Sequence, residues 1–222
     1  MKQFTVVAML FLCATLFASS AMAQGMRFGF FFDPQISWFN SDHKDFDPNG
    51  PEFGYRIGFT ADNFFAERYA FSTGLSINSL SGNIRYATDG YSLKTKDGKY
   101  SIAKNANVKA RIQYLSVPLE LKFKTIEIGY NTFYVHMGLT AHARYKAFAW
   151  EKWNDISKET VTARAEPFFL SYQIGGGIEH SLGGPTALQL GFVYSGGITN
   201  TFDTGNGKIS LSNVALRLGI IF

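Results

Sequence analysis

The sequence predicts an all-β protein: an eight-stranded antiparallel up-and-down transmembrane β-barrel. Three observations carry that expectation. Apolar and polar side chains alternate at period two over eight segments. The connections between those segments alternate between short and long, as the turns and loops of an outer-membrane barrel do. No segment beyond the N-terminus reaches the ~20 apolar residues of a transmembrane helix. A closed sheet is then the way left to cross a bilayer, because all its backbone groups pair between strands.

The N-terminus reads as a cleaved signal peptide over 1–23, leaving one barrel domain over 24–222. Lys2 supplies the charged region, Phe4 to Phe17 is an apolar run, and Ala21-Met22-Ala23 before Gln24 offers small residues for cleavage. The one cysteine, Cys13, lies inside this segment. A lipidated cysteine calls for a small residue before it, and Leu12 is bulky. The exported chain is therefore expected to have neither thiol nor disulfide framework. Charged residues make up 17% of the chain, below the ~25% of an average soluble domain. Phenylalanine and glycine, at 22 each, and 11 tyrosines fill much of the remainder.

The eight segments are expected at 26–40, 52–63, 67–86, 100–124, 131–150, 168–182, 186–200 and 209–222. In the second, Phe53, Tyr55, Ile57 and Phe59 oppose Arg56, Thr60 and Asp62. In the fourth, Leu115, Val117, Leu119, Leu121 and Phe123 oppose Ser116, Glu120 and Lys122, and Pro118 predicts a local break or bulge. The fifth sets Phe133, Val135, Met137 and Leu139 against Tyr134, His136, Thr140, His142, Arg144 and Lys146. The last is the clearest, with Val214, Leu216, Leu218, Ile220 and Phe222 on one face. Its eight steps span ~26 Å of strand, or ~20 Å of height at a tilt of ~40°, which covers most of a bilayer core. Residues 64–66, 125–130 and 183–185 are expected as short periplasmic turns. Residues 41–51, 87–99 and 151–167 are long and polar, and 201–208 is intermediate. Both ends of the domain then lie in the periplasm.

Alternation alone does not say which face is inside. A soluble eight-stranded barrel would turn its apolar face inward. Here the polar face carries Gly54, Gly58, Gly74, Gly138, Gly175, Gly191 and Gly219, too many small residues for a soluble exterior but suited to a narrow lumen. Trp38, Phe53, Phe123, Tyr145, Phe168, Tyr194 and Phe222 sit near the ends of the apolar faces, where interfacial girdles belong. The apolar face therefore meets lipid.

Two stretches resemble a known family. Tyr114-Leu115-Ser116-Val117-Pro118-Leu119-Glu120-Leu121-Lys122 is similar to the Y-L-x-[IV]-P-L-x-L-K segment of PorT-like outer-membrane β-barrel proteins. Phe71-Ser72-Thr73-Gly74-Leu75-Ser76 is similar to the F-x-x-G-L segment that precedes it there. Phe222 looks like the C-terminal aromatic read by the barrel-insertion machinery. The resemblance implies an eight-stranded barrel in a Gram-negative outer membrane and, for the founding member, a part in type IX protein secretion.

Several constellations could carry chemistry. Ten charges are expected to point inward: Arg27, Asp33, Arg56, Asp62, Glu120, Lys122, Arg144, Lys146, Glu179 and Arg217. Near balance of sign in so narrow a lumen predicts a plug of salt bridges rather than a conduction path. His136 and His142 lie ~20 Å apart along one strand, too far to share an ion. Asp45-Phe46-Asp47-Pro48-Asn49-Gly50 matches the opening of a calcium loop. Arg56, however, stands where the bidentate Glu belongs, and these residue types are also ordinary turn formers. Ser41, Asp42 and His43 are the one extracellular set that a lipid A-modifying enzyme could use, but three adjacent residues rarely place nucleophile, base and orienter. No cofactor and no nucleic acid partner is expected.

The region Ala87–Arg111 holds Lys94, Lys96, Lys99, Lys104, Lys109 and Arg111 against Asp89 and Asp97. Six cations minus two carboxylates give +4, as large as the net charge of the whole chain. Asp97-Gly98 within this stretch is a hairpin signal, so the third and fourth strands should project past the outer leaflet. These six residues are the candidate contacts to lipopolysaccharide or an acidic partner. The expected function is that of a non-enzymatic envelope or secretion-accessory component working through its loops. A lipid A-modifying enzyme is the alternative from another class, and a small channel comes third.

Overall fold

The computed structural model describes residues 25–42, 46–86, 91–94, 99–102, 106–151, 156–160, 166–201 and 209–222. Eleven strands occur among them. Eight make the barrel: β1 (Met26–Ser41), β2 (Phe46–Ala66), β3 (Tyr69–Tyr86), β6 (Asn107–Lys124), β7 (Asn131–Glu151), β9 (Phe168–Ser181), β10 (Ala187–Gly197) and β11 (Ile209–Ile221). β4 (Tyr91–Lys94) and β5 (Lys99–Ile102) form a separate hairpin, and β8 (Ile156–Thr160) lengthens the sheet beside β7. The expected signal peptide lies outside the described residues.

Every barrel strand pairs antiparallel with two neighbours in the order β6-β3-β2-β1-β11-β10-β9-β7, and β6–β7 closes the ring. The first strand meets the last from Gly29↔Ile221 to Ser41↔Ile209. Phe28 and Phe222 exchange both backbone hydrogen bonds, at 3.0 and 2.8 Å. Both ends of the domain therefore sit at one rim, with the short turns. Those turns are Glu67-Arg68, 125–130 and 182–186. The first falls later than the expected 64–66, because β2 stays paired to β3 through Ala66↔Tyr69. Gly129, Gly183 and Gly184 turn the chain there with φ of 66°, 96° and 65°, a region costly for residues with a Cβ.

Period-two alternation survives folding almost throughout. Phe53, Phe192, Leu119 and Leu190 stand on the outside at 74, 66, 57 and 53% exposure, while Ser116, Thr140, Gln173 and Asn213 are buried inside. In water such an apolar wall would be untenable, whereas in hydrocarbon it costs nothing. Aromatics edge it at both rims. Phe65 lies 4.8 Å from Phe71, and Tyr69 meets Phe123 edge-on at 5.6 Å, on the short-turn side. Tyr172 and Tyr194 pair at 6.0 Å on the other.

Two prolines sit in paired strands by opening one ladder each. Opposite β3, the pairing passes from Thr73↔Leu119 to Ser76↔Ser116 and skips Val117 and Pro118, while the β7 ladder runs through both. The expected break is present on one side, without a register shift. Pro34 in β1 does the same toward β11, where pairing skips from Phe32↔Leu218 to Gln35↔Ala215. A residue without an N–H is thereby accommodated with closure intact.

Leu218 tests the facing. It lies on the outer face, level with Phe32 on β1 and Leu190 on β10. Leu218→Arg would place a charge in lipid at a cost of ~2–4 kcal/mol near the midplane. We expect this variant, like truncation of Phe222, to lose most of the folded, heat-modifiable species on gels of outer-membrane fractions. A loop lysine substitution should leave it unchanged.

Candidate functional site

The lumen, where a pathway would run, is filled with side chains. Asp33, fully buried, receives Arg56 at 2.7 Å and Arg217 at 3.0 Å, and both guanidiniums lie over the Phe31 ring. Lys122 bridges Asp62 at 2.6 Å and Glu179 at 2.7 Å, and Lys124 also reaches Glu179. Ser72 donates to Asp62 at 2.6 Å. His136 Nδ1 lies 2.9 Å from Glu120. His142 sits between Ser116 at 2.7 Å and Ser171 at 2.8 Å, stacked 4.1 Å from Phe169. Each histidine is thus fixed by its own neighbours, as expected of lumen residues.

Glycine makes this packing possible. A Cβ at Gly175 would come within 2.4 Å of His136 Nε2, and one at Gly191 within 2.4 Å of the Tyr134 hydroxyl. The cavity left beside Glu120, His136 and Arg217 measures about 10 Å³, no more than one water. A vestibule of about 670 Å³ opens at the short-turn rim, lined by Arg27, Lys124 and Glu179 among others.

Toward the rim opposite the short turns the lumen changes character. Phe39, Leu80, Ile84, Ala110, Ile112, Tyr114, Ala147, Phe169, Ile209 and Leu211 form a buried apolar cluster. The expected lumen was small residues around a plug of salt bridges, and this apolar cluster was not part of that expectation. In β6, apolar residues at 108, 110 and 112 continue the inward face after the outward face has turned polar at Gln113, Arg111 and Lys109.

The outer surface above the apolar band is the candidate site. Among the six basic residues expected there, Lys94 and Lys99 form the last pair of the β4–β5 hairpin. Lys96, Lys104 and the Asp97-Gly98 turn lie outside the described residues. Lys109 and Arg111 lie on the outward face of β6. Lys109 Nζ sits 2.5 Å from Glu52, which also accepts from Asn83 at 2.9 Å. Arg111 Nε donates to Ser81 at 2.9 Å.

Lys146 joins them, against expectation. The β6–β7 register passes from Gln113↔Lys146 to Tyr114↔Arg144, so Tyr145 is an extra residue in β7. That β-bulge resets the alternation, and Lys146 emerges on the outside beside Gln113 instead of in the lumen. Its ammonium stands 5.9 Å from the ring centroid of Tyr145. The bulge itself leaves no mark in the sequence pattern.

The other constellations disperse. The segment 46–50 is strand, paired to β3 through Asp47↔Arg85. Asn49 accepts from Arg85 at 3.1 Å and donates to Asn107 at 2.8 Å, so its amide is committed elsewhere than to a calcium loop. Asp45 lies outside the described residues. Among those described, no cluster of three or more metal-ligating side chains occurs. Ser41 ends β1, Asp42 follows it outside the strand, and His43 lies outside the described residues.

A closed eight-stranded barrel with an apolar lipid face, two aromatic rims and a plugged lumen is an outer-membrane barrel. Residues 17–203 match the family model of the outer membrane protein beta-barrel domain, and the chain belongs to that family. The family places it in the outer membrane. Among curated proteins none matches significantly. Solved structures of similar fold include Neisserial surface protein A, at 11% identity and TM-score 0.49, covering 89% of this chain and 98% of that one. The attachment invasion locus protein Ail of Yersinia pestis aligns at 12% identity and TM-score 0.43, covering 90% and 100%. OprG from Pseudomonas aeruginosa aligns at 12% and 0.39, covering 89% and 94%.

The lumen network makes a quantitative prediction. Asp33→Asn leaves two buried guanidiniums without their carboxylate, and breaking a buried pair costs about 3–5 kcal/mol. We expect the urea midpoint in lipid vesicles, followed by tryptophan fluorescence, to fall by the corresponding amount. Glu52→Gln, at the exposed rim, should cost under ~1 kcal/mol.

Proposed function

We propose that this protein is a non-enzymatic envelope component that works through its extracellular end, as an accessory to protein secretion of the PorT-like, type IX kind. One observation carries the reading. The strands serve lipid on one side and a filled lumen on the other, so the surface left for recognition is the loops. Its basic character, concentrated between Ala87 and Arg111, suits an acidic partner protein or lipopolysaccharide. The likeness of Tyr114–Lys122 to the PorT-like segment supports the secretion role. Phe222, ending the last barrel strand at the periplasmic rim, suits a signal for the insertion machinery, and export through a cleaved signal peptide completes the route. Against a channel stands the lumen packing, since ions would have to displace both the ionic network and the apolar cluster above it.

Two measurements test this. In planar bilayers the purified protein should give no stepwise conductance above background, and sustained single-channel openings would reverse the reading toward a pore. Replacing Lys94, Lys96 and Lys99 together by Gln should leave the barrel folded while reducing recovery of crosslinked partners from native outer membranes. The reduction should shrink as salt rises, because screening at physiological strength acts within ~8 Å. Unchanged recovery at low and high salt would show these lysines to be merely solvated.

A further inference from the structure

The charges that line the vestibule at the short-turn rim stand in two tiers. The strands set the inner tier. Met26 and Phe28 face outward, so Arg27 between them points into the mouth of the barrel, half-buried. Lys124, at the end of β6, lines the same space, and Glu179 on β9 is buried at its base. Two cations against one carboxylate give +1. The turns set the outer tier, where Glu67, Arg68 and Glu127 are exposed. One cation against two carboxylates gives −1. The vestibule is neutral as a whole, positive within and negative at its mouth.

Arg27 carries the inner surplus. Its cross-strand neighbour Asp62 is spent on Lys122 and Ser72, and Glu179 is spent on Lys122 and Lys124. Among the described residues Arg27 therefore has no carboxylate within ion-pair distance. A half-buried guanidinium in that state keeps its fork for a carboxylate from outside, which it can take bidentate. One wall beside it is apolar. The β2–β3 register shifts between Phe64 and Ala66, so Phe65 packs outside against Phe71 while Phe64 lines the vestibule, its ring centroid 5.6 Å from the Lys124 ammonium. The base is shut. Beyond Lys122 and Asp62 the lumen leaves about 10 Å³, so a molecule that enters is held and does not cross.

We infer that the vestibule is a binding cup for a short peptide with both ends free. Its carboxylate enters toward Arg27 and Lys124, and its ammonium stays at the mouth toward Glu67 and Glu127. A dianion such as phosphate finds only one surplus charge inside and a negative entrance, whereas a dipolar ligand matches both tiers. The space, about 670 Å³, is that of a small-molecule site, for which ~300–1,000 Å³ is usual. Phe64 and Ile126 offer the side chains an apolar wall. The cup lies at the rim opposite the hairpin, so it is independent of the role given to the extracellular loops.

The test uses the full-length exported chain refolded into phosphatidylcholine nanodiscs, with empty nanodiscs as the blank. The probe is trileucine, measured beside its C-terminally amidated and its N-acetylated forms. Wild type should bind the free peptide more tightly than either blocked form. Arg27→Gln should weaken binding of the free peptide about ten-fold, as for the loss of one charged hydrogen-bond partner, and leave the amidated form unchanged. Arg27→Lys should retain part of the affinity. Glu67→Gln with Glu127→Gln should cost about three-fold, being exposed, and should narrow the gap between free and acetylated peptide. All variants should keep heat-modifiable migration, since none of these residues faces lipid. No binding of trileucine by wild type overturns the cup. So does equal binding of the free and amidated forms, or an Arg27→Gln variant that binds as wild type. Equal binding of the acetylated form overturns the assignment of a free peptide. Displacement of trileucine by inorganic phosphate at the same concentration shows a simple anion site, and the peptide assignment then fails.

Discussion

A peptide N–H or C=O left unpaired in hydrocarbon costs several kcal/mol, and no water is present there to relieve it. Closure follows from that cost. Among the barrel strands each ladder is answered on both sides, and the last bonds of the ring are the pair between Phe28 and Phe222. Even Pro118 and Pro34 obey it, since each gives up pairing toward one neighbour and keeps it toward the other. Once eight strands close, the lumen is only wide enough for side chains. Charges inside must then find one another, which is why Asp33 takes two guanidiniums and Lys122 two carboxylates.

The same constraint divides the molecule along its axis. Where the barrel meets lipid, polarity has to face inward, and the lumen is ionic. Above the lipid, the outer face meets water and can carry Lys109, Arg111 and Lys146, while the inner face is free to be apolar. The cluster around Tyr114, Ile112 and Phe169 is the result, a dry seal built as the core of a soluble barrel is built. The inversion of polarity within one strand, β6, therefore marks the height of the membrane.

Much of this was legible in residues read one at a time. Strand number, facing and the lumen charges follow from period-two alternation, and Leu115 to Phe123 on β6 or Val214 to Phe222 on β11 hold it without interruption. Legibility failed where a single residue changed phase. Tyr145 adds one position to β7 and sends Lys146 to the opposite face from the one alternation assigns. Pro48, Gly50 and Pro51 read as a loop, yet the chain remains paired to β3 from Phe46, with the irregularity absorbed as register shifts on either side of Pro51. The apolar seal escaped for another reason. Val108, Ala110 and Ile112 keep the parity of the inward Ser116 and Glu120, but they are apolar among polar neighbours, and a reading that sorts faces by polarity assigns such residues to lipid. Of the six basic residues expected at one site, two are placed on the wall by the structure, and Lys146 joins them.

The proposed orientation puts the short turns and both ends of the barrel domain in the periplasm, with the hairpin and basic wall outside. Single cysteines introduced in a Cys13→Ser background test it directly with a membrane-impermeant maleimide on intact cells. Lys99→Cys, in β5, should label at once. Glu127→Cys, in a short turn, should label only after the outer membrane is permeabilised, and Leu119→Cys, on the lipid face, should stay protected in both states. Labelling of Glu127→Cys on intact cells with Lys99→Cys protected would contradict the account, because it would put the basic wall on the side where no lipid A exists.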